Sequence, residues 1–150
     1  MTLYDDDQDA VDGMLRHIYG LDYRTAAIQP GPYFCLRTFA VAGKYDVPSL
    51  QEATIARMKE ELEDLHKNPR SFSSMVQSIS IDAPSHLGGM RKVAKQACWK
   101  RFAELMQVKE FKEMLLEVPE LQLELLKDFN EQTQRDKKAR DALQRKIGPA

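Results

Sequence analysis

Apolar residues recur every three or four positions along most of this chain, which is the period of one helix face. Val11, Met14 and Ile18 follow this spacing near the start, and later apolar groups repeat it. No segment alternates apolar and polar residues over the length of a strand. The pattern predicts an all-α helical bundle, with helices over residues 9–19, 32–45, 48–65, 72–79, 90–105 and 111–118 and a last helix from Pro119 onward.

Glycine and proline mark the ends of these helices. Gly20 is expected to end the first helix, and Pro32 is expected to occupy the first turn of the second. Val47-Pro48 separates the second helix from the third, and Asn68-Pro69 stops the third. Residues 81–89, which contain a proline and two glycines, are predicted to form an irregular connection.

The bulk composition describes an ordinary globular chain. It has 150 residues and a net charge of −1, so total charge gives no support for binding a polyanion. Two cysteines, Cys35 and Cys98, are too few and too far apart for a disulfide framework, and we expect reduced, buried thiols. The sequence shows no secretory leader and no apolar run of about 20 residues. An intracellular location, cytoplasmic or nuclear, is expected.

The charge is distributed unevenly. Six aspartates oppose two arginines in the first thirty residues, whereas six cations oppose two aspartates over residues 135–150. The basic end is either an arm for nucleic acid or phospholipid, or a solvated helix face. We favour the solvated face, because acid and base stand four residues apart in the stabilising order. These pairs are Glu131 with Arg135, Asp136 with Arg140, and Asp141 with Arg145.

No catalytic, cofactor or metal site is predicted. His17, His66 and His86 stand in separate segments without a second ligand at metal spacing. No phosphate-binding loop or nucleophile elbow is present among the glycines. The run Asp5 to Asp7 is interpreted as helix capping, since consecutive helix residues point in different directions and make a poor cation site. We expect a protein that is not an enzyme.

Two features of the later helices raise the question of a partner. Trp99 lies at the shoulder of an apolar stripe, where it either faces a partner or packs on the edge of the bundle. The second interpretation is favoured. Leu143 and Ile147 could pair with another helix, although one apolar pair is far short of a coiled-coil repeat.

Two stretches carry a family resemblance. The first is His17-Ile18-Tyr19-Gly20-Leu21-Asp22-Tyr23, and the second runs from Phe39 to Leu50 and contains Ala42-Gly43-Lys44-Tyr45-Asp46-Val47-Pro48. Together they resemble the BTB/POZ family in the form found in fungi. The positions that fit the family's order are Tyr19, Asp22, Tyr23, Ala42, Lys44, Tyr45, Val47 and Leu50. We interpret them as structural, with the tyrosines burying their rings at helix ends.

The resemblance implies a division of the chain into three parts. Residues 1–66 correspond to the C-terminal helices of the BTB fold, 67–130 to a helical extension, and 131–150 to a polar, charged tail that is expected to project. The family's first half, with its strands, is missing here. A shortened gene model is the favoured explanation, beside a fragment or a natural short isoform. Leu15, Leu36 and Phe39 are then expected to be exposed, because the missing half would cover them.

Two functions follow as hypotheses. The first is an adaptor or scaffold that binds protein partners through apolar helix faces, with self-association as one option, and without small-molecule substrate, cofactor or membrane. The family's dimer and cullin-binding surfaces draw chiefly on the missing half, so neither is transferred to residues here. The alternative is a nucleic-acid-associated regulator that uses the basic C-terminal helix.

Overall fold

The computed structural model describes residues 7–82 and 88–147, and it is an all-α bundle as predicted. Within those ranges there are eight α-helices, one short 3₁₀ helix and no strand. The α-helices are α1 Gln8–Ile18, α2 Pro32–Lys44, α3 Pro48–Leu65, α4 Pro69–Asp82, α5 Gly88–Lys100, α6 Phe102–Leu105, α7 Lys109–Glu117 and α8 Pro119–Ile147. The 3₁₀ helix, Tyr23–Ala26, lies between α1 and α2.

The helix ends follow the sequence signals. Asp7 caps α1, since its Oδ1 accepts a hydrogen bond from the Ala10 amide at 2.9 Å. Gly20 follows α1 with a φ of +80°, a left-handed conformation that glycine adopts without strain. Pro32 and Pro48 stand in the first turns of α2 and α3. Asp5, Asp6 and residues 83–87 of the predicted 81–89 connection lie outside the described residues. The prediction of irregular structure is wrong for residues 81–82 and 88–89, which belong to α4 and α5.

Two predicted helices have different bounds in the structure. The fourth helix begins at Pro69 and reaches Asp82, so it is longer than the apolar spacing alone indicated. The helix predicted over 90–105 is divided at Arg101, whose φ of −125° and ψ of 26° are not helical. The guanidinium of Arg101 and the amine of Lys100 both bind the Glu63 carboxylate of α3, at 3.0 and 3.2 Å, and these bonds hold the break against α3.

The interior forms two apolar clusters. The N-terminal cluster contains Ala10, Met14, Tyr23, Phe34, Val41, Ala42 and Leu50. The larger central cluster runs from Cys35 in α2 to Leu125 in α8 and includes Phe39, Met58, Phe72, Met75, Met90 and Phe111. Helices α2 and α3 contribute to both clusters, because two different faces of α2 and successive turns of α3 reach them. The central cluster therefore takes side chains from either side of residue 66.

One expectation about exposed surface is wrong for two of its three residues. Leu36 and Phe39 are only 6% and 2% exposed, because the central cluster, to which α3, α4 and α5 also contribute, encloses them. Leu15 is 46% exposed, as expected. The helices after residue 50 thus cover the apolar face of α2 that the resemblance assigned to a missing half.

Helix α8 is a single helix of 29 residues. Leu121 and Leu125 in its first part are buried in the central cluster. Every residue from Phe129 to Ile147 is exposed. The predicted projection of the polar tail is confirmed over its described length, and residues 130–147 are called the arm below.

Candidate protein-interaction groove

An apolar groove of about 590 Å³ lies where α5, α6, α7 and α8 meet. Most of its lining side chains are apolar or aromatic, and the ones that matter here are Trp99, Phe102, Met106, Leu116, Leu126 and Phe129. The volume is within the usual range for binding pockets. Leu115 and Leu125 belong to both the groove and the central cluster, so the groove is rooted in the interior of the bundle.

Aromatic rings fix the geometry of this groove. Phe111, fully buried, makes an edge-on contact with Phe102 at 6.4 Å between ring centroids. Phe102 contacts Trp99 at 6.1 Å, and Trp99 makes an edge-on contact with Phe129 at 6.3 Å. Such pairs contribute about 0.5–1.5 kcal/mol beyond the area they bury. The four rings form a continuous path from the core to the surface of α8.

The side of the groove away from the core is open to solvent. Leu116 is 75% exposed, Leu126 65% and Phe129 58%. Single exposed leucines are ordinary, but three large apolar side chains on one groove form a patch of the kind that marks interaction sites. The groove therefore exposes apolar surface that the fold itself does not use.

Few polar groups enter the groove. Lys112 and Gln122 are its polar lining residues. The Gln122 side-chain amide donates a hydrogen bond to the Leu115 carbonyl, so it is already engaged. A pocket for a polar small molecule usually holds several convergent polar groups that fix orientation. This lining is better suited to an apolar ligand than to a polar one.

Trp99 lies in this groove and is half-buried. It packs against the central cluster from the edge and also forms part of the groove wall. Trp99 thus lies at the boundary of the bundle and is also part of an accessible apolar surface. Its role toward a partner stays a prediction.

The family-signature residues between Tyr19 and Leu50 are distributed between interior and surface. Tyr23, Ala42 and Leu50 are buried in the N-terminal cluster, and Val47 packs against it. Tyr19, expected to bury its ring, is 81% exposed because it follows the end of α1, where the backbone turns at Gly20. That expectation was wrong for this tyrosine.

Local hydrogen bonds hold the turn after α1. Asp22 caps the 3₁₀ helix by accepting from the Arg24 amide at 2.9 Å, and its carboxylate binds the Arg24 guanidinium at 2.8 Å. Arg24 thereby lowers the pKa of Asp22. Lys44 lies 5.4 Å from the ring centroid of Tyr45, a cation–π contact after α2. These residues stabilise the helix connections.

Burial governs the chemistry of Tyr23 and the cysteines. Tyr23 is stacked on Phe34 at 6.1 Å, and burial raises the pKa of its hydroxyl. Cys35 and Cys98 are free and buried, as predicted, and burial raises the pKa of each thiol to about 12. The Cys35 thiol donates to the Thr54 carbonyl at 3.0 Å. Neither thiol is arranged as a nucleophile, which requires a thiolate.

The histidines lie in unrelated surroundings. His17 Nε2 is 2.9 Å from the Ser49 hydroxyl, and His66 contacts the Glu63 carbonyl. His86 lies outside the described residues. Over residues 7–82 and 88–147, no three histidine, cysteine, aspartate or glutamate side chains are grouped so that they could hold a metal. In the same ranges, no helix combines the length and apolar character needed to cross a bilayer.

The arm presents its charges to solvent. None of the three predicted pairs, Glu131–Arg135, Asp136–Arg140 and Asp141–Arg145, forms an ion pair among the described residues. Asp136 instead accepts a hydrogen bond from the Gln132 amide at 3.0 Å. The expectation that these pairs satisfy one another is wrong, because extended side chains on a solvated helix gain little by closing such pairs.

Comparison with known proteins gives no neighbour. No family model matches the chain, and neither a curated protein nor a solved structure matches it. The geometry of the groove and of the arm therefore carries the functional argument.

Sequence reasoning did not find the groove, although it singled out Trp99. The signal that could have revealed it is a pair of adjacent leucines, Leu115-Leu116 and again Leu125-Leu126. Adjacent residues of a helix point about 100° apart, so one leucine of each pair reaches the core and the other leaves it. Part of the apolar surface of α7 and α8 is then expected to remain outside the core.

Proposed function

We propose that this protein is a non-catalytic interaction module that binds an amphipathic helix of a protein partner in the groove between α5 and α8. The observation that carries the proposal is the exposure of Leu116, Leu126 and Phe129 around a groove with an aromatic floor. Helix-binding grooves take apolar side chains spaced three, four and seven residues apart. The scarcity of free polar groups in the lining favours such a ligand over a small polar substrate.

The BTB/POZ resemblance supports the same class of function. Members of that family are adaptors, and the signature residues Tyr23, Ala42 and Leu50 stabilise helix packing. An adaptor or scaffold role is the interpretation we propose for the whole chain.

Selection of helical peptides displayed on phage tests the groove directly. We expect enriched peptides to carry apolar residues at helical spacing and to change the fluorescence of Trp99, the only tryptophan of the chain. Leu126→Glu should abolish this binding, because it places a carboxylate on the groove wall. Leu123→Glu is the matched control, since Leu123 is 54% exposed on the same helix and does not line the groove. Equal enrichment on both variants would refute the proposal.

A second candidate function is favoured by the exposure of the arm. Its six cations are all accessible to solvent, and they are Arg135, Lys137, Lys138, Arg140, Arg145 and Lys146. If they bind nucleic acid, affinity falls steeply with salt and is lost when they are neutralised. Fluorescence anisotropy with a labelled duplex at two salt concentrations tests this, and salt-independent or undetectable binding excludes it.

A further inference from the structure

The exposed apolar residues of the arm continue the apolar face of the groove. A helix turns by about 100° per residue, so Leu126, Phe129, Leu143 and Ile147 fall within about 100° of the circumference of α8. Leu126 and Phe129 line the groove, whereas Leu143 and Ile147, 61% and 75% exposed, lie at the end of the arm. These four residues are called the α8 stripe.

The α8 stripe is complementary to itself. Its apolar residues occupy the two ends, and Thr133, Asp136 and Arg140 occupy the middle. If two copies of α8 lie antiparallel and cross between residues 136 and 137, Leu126 stands level with Ile147 of the other copy. Phe129 is then within one residue of Leu143. An arrangement in which the same patch serves both subunits is what a two-fold dimer requires.

The charges of α8 favour the antiparallel direction. The charged residues on or beside the stripe are Asp136, Lys137 and Arg140, whereas the four carboxylates of residues 119–131 lie on the other side of α8, where Glu120 and Asp128 bind Arg91 and Lys95 of α5. Parallel pairing of the stripes would set Asp136 beside Asp136 and Arg140 beside Arg140 of the other copy, whereas antiparallel pairing separates these like charges. At the crossing point, Asp136 of one copy stands level with Lys137 of the other.

We infer that the helix bound by the groove is the arm of a second copy of this chain. The two arms lie antiparallel, and Leu143 and Ile147 of each copy pack on Leu126 and Phe129 of the other. The arm has the reach for this contact, since residues 129 to 147 span about 27 Å of helix. The inference rests on the proposed helix-binding function and names its partner.

Sedimentation velocity of the full chain tests self-association. We expect a reversible dimer with Kd on the order of tens of micromolar, because few apolar residues are shared. Leu143→Glu should raise Kd at least about tenfold. Ala142→Glu, the matched control, adds the same charge one residue away on the opposite side of α8 and should leave Kd within about twofold. Leu143 packs on neither core cluster, so folding is not at stake.

Disulfide cross-linking tests the direction. Thr133 and Arg140 are level across an antiparallel pair, so a mixture of Thr133→Cys and Arg140→Cys chains should give a mixed disulfide dimer. Thr133→Cys alone should give none, and efficient cross-linking of that variant to itself would overturn the antiparallel arrangement. A mass that grows beyond a dimer would also overturn it, since a non-reciprocal contact does not close.

The same measurements distinguish a failure of self-association from a failure of helix binding by the groove. A chain that stays monomeric at about ten times the expected Kd overturns the inference. If the same monomeric chain still selects helical peptides in a manner sensitive to Leu126→Glu, the helix-binding function stands and the partner is another protein.

Discussion

Replacing Gly13 by alanine tests how closely α1 packs on the rest of the N-terminal cluster. Gly13 is buried in the middle of α1. A Cβ atom there would lie 3.1 Å from the Tyr23 carbonyl oxygen and 3.3 Å from Cζ of Phe34. In an open helix, the same substitution stabilises by about 1 kcal/mol. Helix propensity and packing therefore predict opposite signs.

The packing cost is expected to be larger, because neither neighbour moves freely. The Tyr23 carbonyl belongs to a 3₁₀ helix held by the Asp22 cap, and Phe34 is 3% exposed and stacked on Tyr23. Overpacking a core costs about 1–3 kcal/mol. Subtracting the propensity gain leaves a net loss of about 1 kcal/mol in the free energy of unfolding, or about 2–4 °C in Tm for a chain of this size.

Urea unfolding followed by circular dichroism measures this change. A Phe34→Leu background is the control, since leucine lacks the ring atom that the new methyl group meets. In that background the loss caused by Gly13→Ala should shrink or reverse, because contacting sites are not additive. A gain of about 1 kcal/mol in the parent chain would refute the packing argument, since it would show that the neighbours yield at little cost.

Two further predictions concern titratable groups. Cys35 and Cys98 should resist alkylation at pH 8 in the folded chain and react on unfolding, because burial raises the pKa of both thiols to about 12. Mass spectrometry after iodoacetamide treatment measures the alkylation, and rapid labelling of the native chain would contradict the prediction. Asp22 has a pKa below its ordinary value of 3.8, because Arg24 binds its carboxylate. Its contribution to the stability of the fold is therefore present above pH 3.8 and is lost as the pH falls through the lower pKa of the folded state. Thermal melts between pH 5 and pH 2 should therefore depend less on pH in Asp22→Asn, and identical profiles would contradict this assignment.

The helices could be predicted because their signals are local. The spacing of apolar residues and the positions of Pro32 and Pro48 determine where α2 and α3 begin. The continuity of α8 follows equally from the absence of glycine and proline between its first residue, Pro119, and Ile147.

The break at Arg101 and the burial of Phe39 could not be predicted from such local signals. The two residues at the break bind Glu63, which lies 37 and 38 residues away in sequence. The cover over Phe39 depends on helices that follow residue 50. Both depend on tertiary packing, which periodicity does not encode. The resemblance misled at this point, because it assigned the partner surface of α2 to a segment outside the chain.

The groove could be predicted only in part from the sequence. Trp99 could be noticed because tryptophan is rare, but the alignment of Trp99 with Phe102 and Phe129 requires that α5, α6 and α8 meet. The approach of these helices follows from the burial of Cys98, Leu105 and Leu125 in one cluster. Binding surface and core are thus produced by the same packing.

The sharing of α3 between the two apolar clusters has a consequence for how the chain unfolds. Leu50 at the start of α3 belongs to the N-terminal cluster, and Met58 and Leu62, about two to three turns later, belong to the central one. Neither cluster can open fully without exposing part of the same helix, so the two are expected to unfold in one cooperative transition. In the monomer the arm belongs to neither cluster, so it is free to fray before that transition without disturbing it.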